Sequence, residues 1–115
     1  MFSNFLGAKI EELNERYVKV KGKVKEEYLN VHNTAHGSYI FALADIAFEA
    51  ISNYSEKSVA LHMDIDFRNP AYLNDELTVE GFLESKGNKT SLYRFVVKRK
   101  EDMIAEILAL AYHIR

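Results

Sequence analysis

The sequence predicts an α+β fold, in which one buried helix is covered by an antiparallel sheet. Three observations carry this expectation. The run from Ile40 to Ile51 is apolar on nearly every side of a 3.6-residue helix and rich in alanine, which favours helix and not strand. Four consecutive strand-like segments follow it. No helix separates those segments, so no β-α-β alternation demands a parallel sheet.

The elements are justified in chain order. Phe2, Phe5, Leu6, Ile10 and Leu13 recur at three- and four-residue spacing, which predicts a short amphipathic N-terminal helix with Lys9, Glu11 and Glu12 outward. Tyr17 to Val24 alternates: Val18, Val20 and Val24 face one way, Lys19, Lys21 and Lys23 the other. This is a half-buried strand, with Gly22 a candidate bulge. After the central helix, Asn53 to Lys57 is a polar turn. Ser58 to Arg68 then places Val59, Leu61, Met63, Ile65 and Phe67 on one face, and His62, Asp64, Asp66 and Arg68 on the other. Asn69-Pro70 ends that strand. A strand near Glu76 to Glu84 carries Leu77, Val79 and Leu83, with Gly81 a second bulge candidate. Lys86-Gly87-Asn88-Lys89 is a hairpin turn signal. Thr90 to Lys100 is the next strand, and Glu101-Asp102 turns the chain. Met103 to Arg115 has helix-favouring Ala, Leu and Glu, but its place after a short turn assigns it to the sheet. Small Ala105, Ala109 and Ala111 on one face would let the helix approach closely.

Length and composition bound the function. At 115 residues the chain is read as one domain spanning 1–115, large enough for a real core. A net charge of −2 gives no global attraction to nucleic acid or membrane. Without cysteine there is no disulfide, thiolate metal site or cysteine nucleophile. Asp45, Glu49 and Asn53 keep the longest apolar run below membrane-spanning length. The N-terminus lacks a basic region followed by an apolar segment, so a cytoplasmic protein is expected.

The candidate chemistry centres on the helix and its entrance. Asp45 is a lone acid inside an apolar run, and burying an unpaired carboxylate costs several kcal/mol. Either a structural partner or a chemical role as base or nucleophile must account for it. At the entrance, Asn30, Asn33, Thr34, His36, Gly37 and Ser38 form a polar loop rich in capping residues. The first N–H groups of a helix lack internal partners and carry the positive end of its dipole. Gly37 is therefore a candidate donor to a developing oxyanion, although the loop could equally be only a cap. Gly37 and Asp45 lie eight residues apart, so one helix separates them by ~12 Å. If both serve one reacting carbon, they must come from different chains. His32 and His36 are four apart, but in a loop and at a cap, and no third metal ligand accompanies them. His62 and His113 read as ordinary strand positions. There is no Gly-x-Ser-x-Gly elbow and no phosphate-cradling loop.

The segment Asn30-Val31-His32-Asn33-Thr34-Ala35-His36-Gly37-Ser38, followed by Leu43-Ala44-Asp45 and then Ala47, resembles the hotdog-fold acyl-CoA thioesterases of the PaaI (phenylacetate-pathway) type. Their pattern reads roughly N-x-x-G-x-x-H-G-G, then L-A-D-x-A. The Arg68-Asn69-Pro70-Ala71 turn and the strand order are also similar, and the likeness covers nearly the whole chain. It implies a long central helix wrapped by a curved antiparallel sheet, two such units forming a homodimer, and a dimer of dimers. It implies that Gly37, within the His36-Gly37 motif, polarises the thioester carbonyl. The partner's Asp45 would then be base or nucleophile, and Asn30 would hold the water or substrate. Two departures stand out. Ser38 replaces a second Gly and would narrow the acyl entrance, and Ala60 stands where some relatives have a hydroxyl residue. Asn33 stands at a frequent Gly position and tolerates a left-handed backbone. The hotdog hydratases place a His five residues after the Asp; position 50 here is Ala.

The reading is a thioesterase that cleaves an aryl- or fatty acyl-CoA to free acid and CoA, with no metal or redox cofactor. The alternative is a hotdog module that binds acyl-CoA without turnover. Because CoA phosphates are anionic and the chain is net acidic, Arg68, Lys86, Lys89 and Arg94 are the expected phosphate contacts.

Overall fold

Side-chain alternation builds the sheet, and the helix fills its concave face. The computed structural model describes residues 1–114. It contains α1 (Phe2–Leu6), β1 (Lys9–Leu13), β2 (Tyr17–Lys23), a single 3-10 turn (Glu26–Tyr28), α2 (Gly37–Ser52), β3 (Ser58–Phe67), β4 (Glu76–Lys86), β5 (Thr90–Arg99) and β6 (Asp102–His113). The strands form one antiparallel sheet in the order β1-β2-β4-β5-β6-β3. The final segment is a strand as expected, and Arg115 lies outside the described residues.

Valines 18, 20 and 24 are fully buried under α2, as are Leu77, Val79, Phe95 and Val97 from the neighbouring strands. From β6, Ala105, Ile107, Ala109, Ala111 and His113 point inward. Three of these are the alanines expected to admit the helix. Phe48 on α2 meets Phe95 edge-on, with centroids 5.8 Å apart. Buried side chains of this size stabilise by about 1.5–3 kcal/mol each. Most of α2 is buried, but a stripe through Ser38, Phe41, Ala42, Asp45 and Glu49 is only partly covered or exposed. The expectation of a helix buried all round is corrected to that extent.

Four further corrections follow. The expected N-terminal helix stops at Gly7, which takes a left-handed conformation (φ 74°). Ile10 and Leu13 belong to β1, where Ile10 pairs with Val20 and Leu13 with Val18. Gly22 and Gly81 are not bulges; the β2–β4 register runs unbroken through both. They are glycines because space is short. A Cβ on Gly22 would come 2.7 Å from the Tyr39 hydroxyl, and one on Gly81 would overlap the Phe95 ring. The real irregularity in the strand after the helix lies between Ala60 and His62. It puts Val59, opposite Tyr112, on the other face from Met63, Ile65 and Phe67, opposite Ala109, Ile107 and Ala105. The single apolar face expected for Ser58 to Arg68 is thus split by a bulge.

The loop into α2 is pinned to the turn after β3. Ala35 N–H donates to the Ala71 carbonyl at 2.8 Å, Thr34 bridges to Tyr72, and His36 N–H donates to the Tyr28 carbonyl at 2.7 Å. The start of α2 is therefore fixed from both sides of the chain.

Candidate active site

The first turn of α2 leaves one donor unused. His36, not an Asn, Thr or Ser, is the N-cap; its Nδ1 accepts from Ser38 N–H at 3.1 Å and meets the Ser38 hydroxyl at 2.7 Å. With Nδ1 as acceptor, the ring proton sits on Nε2. Tyr39 and Ile40 N–H groups both reach the His36 carbonyl. Gly37 N–H has no partner among the described residues. A Cβ at position 37 would lie 3.2 Å from the Phe67 ring, so glycine keeps this approach open. The free N–H and the helix dipole can stabilise negative charge on a carbonyl oxygen.

Asn30 organises the loop ahead of the cap. Its Oδ1 accepts from His32 N–H at 2.9 Å and Thr34 N–H at 3.1 Å, and its Nδ2 donates to the Thr34 hydroxyl at 2.9 Å. One Nδ2 hydrogen remains for a water or substrate. Asn33 has φ 62°, the left-handed conformation that asparagine tolerates.

Asp45 stands two turns further along the same unbroken helix. It lines a cavity of about 690 Å³. The walls come from both edges of the sheet, Ile10 and Leu13 from β1 and Val59 and Ala60 from β3, because the sheet curls round α2. Asp45 has no hydrogen bond or ion pair with any described residue. Burial raises its pKa above the usual carboxylate range, and the neighbouring Glu49 adds to the rise. Gly37 does not line this cavity. Within one chain, the structure keeps the two residues apart, as the helix spacing requires.

Three of the four expected phosphate contacts are paired with carboxylates. Arg68 follows β3 and is held by Glu106 at 2.7 Å; Arg94, mid-β5, pairs with Glu84 at 2.9 Å and lies over the Phe82 ring. At the C-terminal end of β4, Lys86 pairs with Glu15 and Glu56 at 3.4 and 3.5 Å. Lys89 beside it has no ion pair among the described residues. Ser38 is exposed at the mouth of the first turn.

Two features escaped sequence reading. Glu49 shares the cavity with Asp45; its i+4 spacing was the available signal. His113, read as an ordinary strand residue, is fully buried and bridges Ser58 (2.8 Å) and Ser91 (2.7 Å). Both ring nitrogens are satisfied there, so it fastens β3, β5 and β6 together. Among the described residues no group of His, Asp and Glu could hold a metal ion, and no helix is long and apolar enough to cross a membrane.

With a wrapped helix, a free Gly37 N–H and an unpartnered Asp45 established, comparison with known proteins supplies the class. Residues 32–106 match the Thioesterase superfamily. The chain is 38% identical over 107 residues to a putative esterase of Archaeoglobus fulgidus, covering 92% of this chain and 68% of that one. It is 31% identical over 102 residues to the acyl-coenzyme A thioesterase PaaI of Escherichia coli, covering 87% and 73%. A solved structure of the phenylacetic acid degradation protein PaaI from Thermus thermophilus, 28% identical, superposes with a TM-score of 0.96 over 98% of both chains. The chain belongs to the thioesterase superfamily and has its hotdog fold. Within it, the chain is a thioester hydrolase of the PaaI type.

Proposed function

We propose that the protein hydrolyses acyl-CoA thioesters at sites shared between two copies of the chain. Gly37 N–H of one copy receives the thioester oxygen. Asp45 of the other either takes a proton from an attacking water and passes it to the departing CoA thiolate, or attacks the carbonyl to form an acyl anhydride that water then hydrolyses, supplying the thiol's proton and releasing the acid. The observation that carries this reading is the pair of unspent groups: a half-buried carboxylate without a partner, and the one first-turn N–H without an acceptor, among the described residues. Leaving both unused has a cost in stability that a binding or catalytic role explains. Asn30 contributes its remaining N–H to the water, and His36 holds the first turn in shape.

The second copy is expected along β3. This ten-residue edge strand carries exposed Val59, Leu61 and Phe67, and an unpaired apolar edge is a template for another strand. The same copy would cover the open stripe of α2. A pairing of such dimers into a dimer of dimers remains part of the proposal. For the CoA phosphates, Lys89 is the cation left unspent, while Arg68, Lys86 and Arg94 would first have to leave their carboxylates.

Release of free thiol from a panel of aryl- and fatty acyl-CoAs tests the activity. Asp45→Asn should fold and dimerise while kcat falls by at least ~10²-fold, the lower range for acid–base catalysis. Near-normal turnover by that variant would make the carboxylate structural, and binding without thiol release by the wild type would make the protein a carrier.

A further inference from the structure

The cavity holds a second carboxylate that the reaction does not need. Glu49 follows Asp45 by four residues, so both lie on the same open stripe of α2, about 6 Å apart along the axis. Both line the 690 Å³ cavity, and Glu49, like Asp45, has no side-chain hydrogen bond or ion pair among the described residues. The cavity runs from Asp45 toward the C-terminal end of the helix, past Glu49 to Ser52 and Asn53. Its apolar lining includes Phe2, Ile10, Leu13 and the inward-facing Ala60. Among the described residues, those lining this space carry the charges of Asp45, Glu49, Lys57 just before β3, and the Met1 α-amino group. An acyl chain with its carbonyl at Asp45 would lie along that apolar lining and pass Glu49 within its first few carbons.

Resting on the thioesterase reading, we infer that Glu49 is a specificity-determining residue that rejects acyl groups carrying a second carboxylate. A neutral acyl tail meets the apolar wall and leaves Glu49 hydrated. A tail ending in a carboxylate brings a like charge beside Glu49, an exposed group on the open stripe of α2, so the repulsion is real but screened by salt. Lys57 lies eight residues beyond Glu49, past the turn, and is placed to compensate only a longer tail.

The test uses two substrates of equal length, hexanoyl-CoA and adipoyl-CoA. Thiol release gives the ratio of their kcat/KM values for the wild type, Glu49→Gln and Glu49→Lys. Calorimetry on Asp45→Asn, with and without Glu49→Gln, gives the ratio of their Kd values independently of turnover. The wild type should favour hexanoyl-CoA by about fivefold at low salt, as expected for one solvent-exposed like-charge contact, and by less as salt is added. Glu49→Gln should remove most of that preference, and Glu49→Lys should turn it toward adipoyl-CoA. Ratios that Glu49 does not move, in either kinetics or binding, overturn the inference. Absence of thiol release from either substrate, with the Kd ratio still set by Glu49, would refute the hydrolase reading and leave this one standing.

Discussion

If each site draws Gly37 from one chain and Asp45 from another, two dead variants should repair each other. The perturbations are Gly37→Pro, which deletes the proposed oxyanion N–H, and Asp45→Asn. Proline suits position 37: it is the first residue of α2, where proline is well tolerated. The preceding His36 already has φ −62° and ψ 138°, the extended backbone that a following proline demands. The added ring must displace the Phe67 ring, which a Cβ would approach at 3.2 Å; that side chain is 53% exposed and can turn aside. Loss of one oxyanion donor costs ~10²–10³ in rate, and Asp45→Asn a similar factor, so each variant alone is nearly silent. Unfolded together in equal amounts and refolded, half of all chains enter mixed dimers. Each mixed dimer has one site with both lesions and one with neither. About a quarter of wild-type activity should return, measured as thiol release per chain. The ~12 Å that separates the two residues on one helix is what fixes this result. If mixed dimers form, shown by differential tagging, and activity stays at background, the site lies within one chain and one of the two residues has been given the wrong role.

Two other outcomes are expected. Burial, then Glu49, raises the Asp45 pKa, so the folded chain takes up that proton more readily than the unfolded chain, whose value is about 3.9. Stability from this group is present at low pH and is lost as pH rises through the raised folded value. Asp45→Asn should therefore melt above the wild type at neutral pH, with the gap closing in acid; an equal or lower Tm at neutral pH would mean the carboxylate has a favourable contact. Lys89→Ala should raise KM for acyl-CoA a few-fold and flatten its salt dependence, since exposed charges act through screened attraction. An unchanged KM with an unchanged salt slope would send the CoA phosphates elsewhere.

Long-period patterns were legible in the sequence and local geometry was not. The apolar run of α2, the alternating strands and the close spacing of His36, Gly37 and Asp45 all follow from side-chain period and capping chemistry. Ile10 and Leu13 fit a helical period as well as Phe2 and Leu6 do. Only pairing with Val20 and Val18 makes them strand, a tertiary effect that local propensity does not contain. The bulge between Ala60 and His62 leaves no mark in residue type, so Val59 could not be assigned to its face. Glycines 22 and 81 looked like bulges because the alternative, crowding by the helix at Gly22 and by strand side chains at Gly81, requires knowing where Tyr39, Leu43 and Phe95 sit. His113 shows the same limit: its two serine partners lie 22 and 55 positions away. At the site, Asp45 was conspicuous because a carboxylate in an apolar run is unusual. Glu49 is visible in the sequence only as a break in the apolar run, since nothing local distinguishes a solvated glutamate from one lining a cavity.

The placement of β3 at the far edge of the sheet bears on how the protein is made. β3 has a single neighbour within the chain, β6, and Phe67 pairs with Ala105. During synthesis from the N-terminus, β3 leaves the ribosome before its only intramolecular partner exists. At 5–20 residues per second, the interval to the matching part of β6 is a few seconds. Throughout it, a ten-residue strand with Val59, Leu61 and Phe67 has both edges unpaired, and α2 lacks the strands that close over it. Intermolecular pairing through β3 can then compete with the chain's own closure. The strand expected to join two finished subunits is also the one most exposed to premature association while either is being translated.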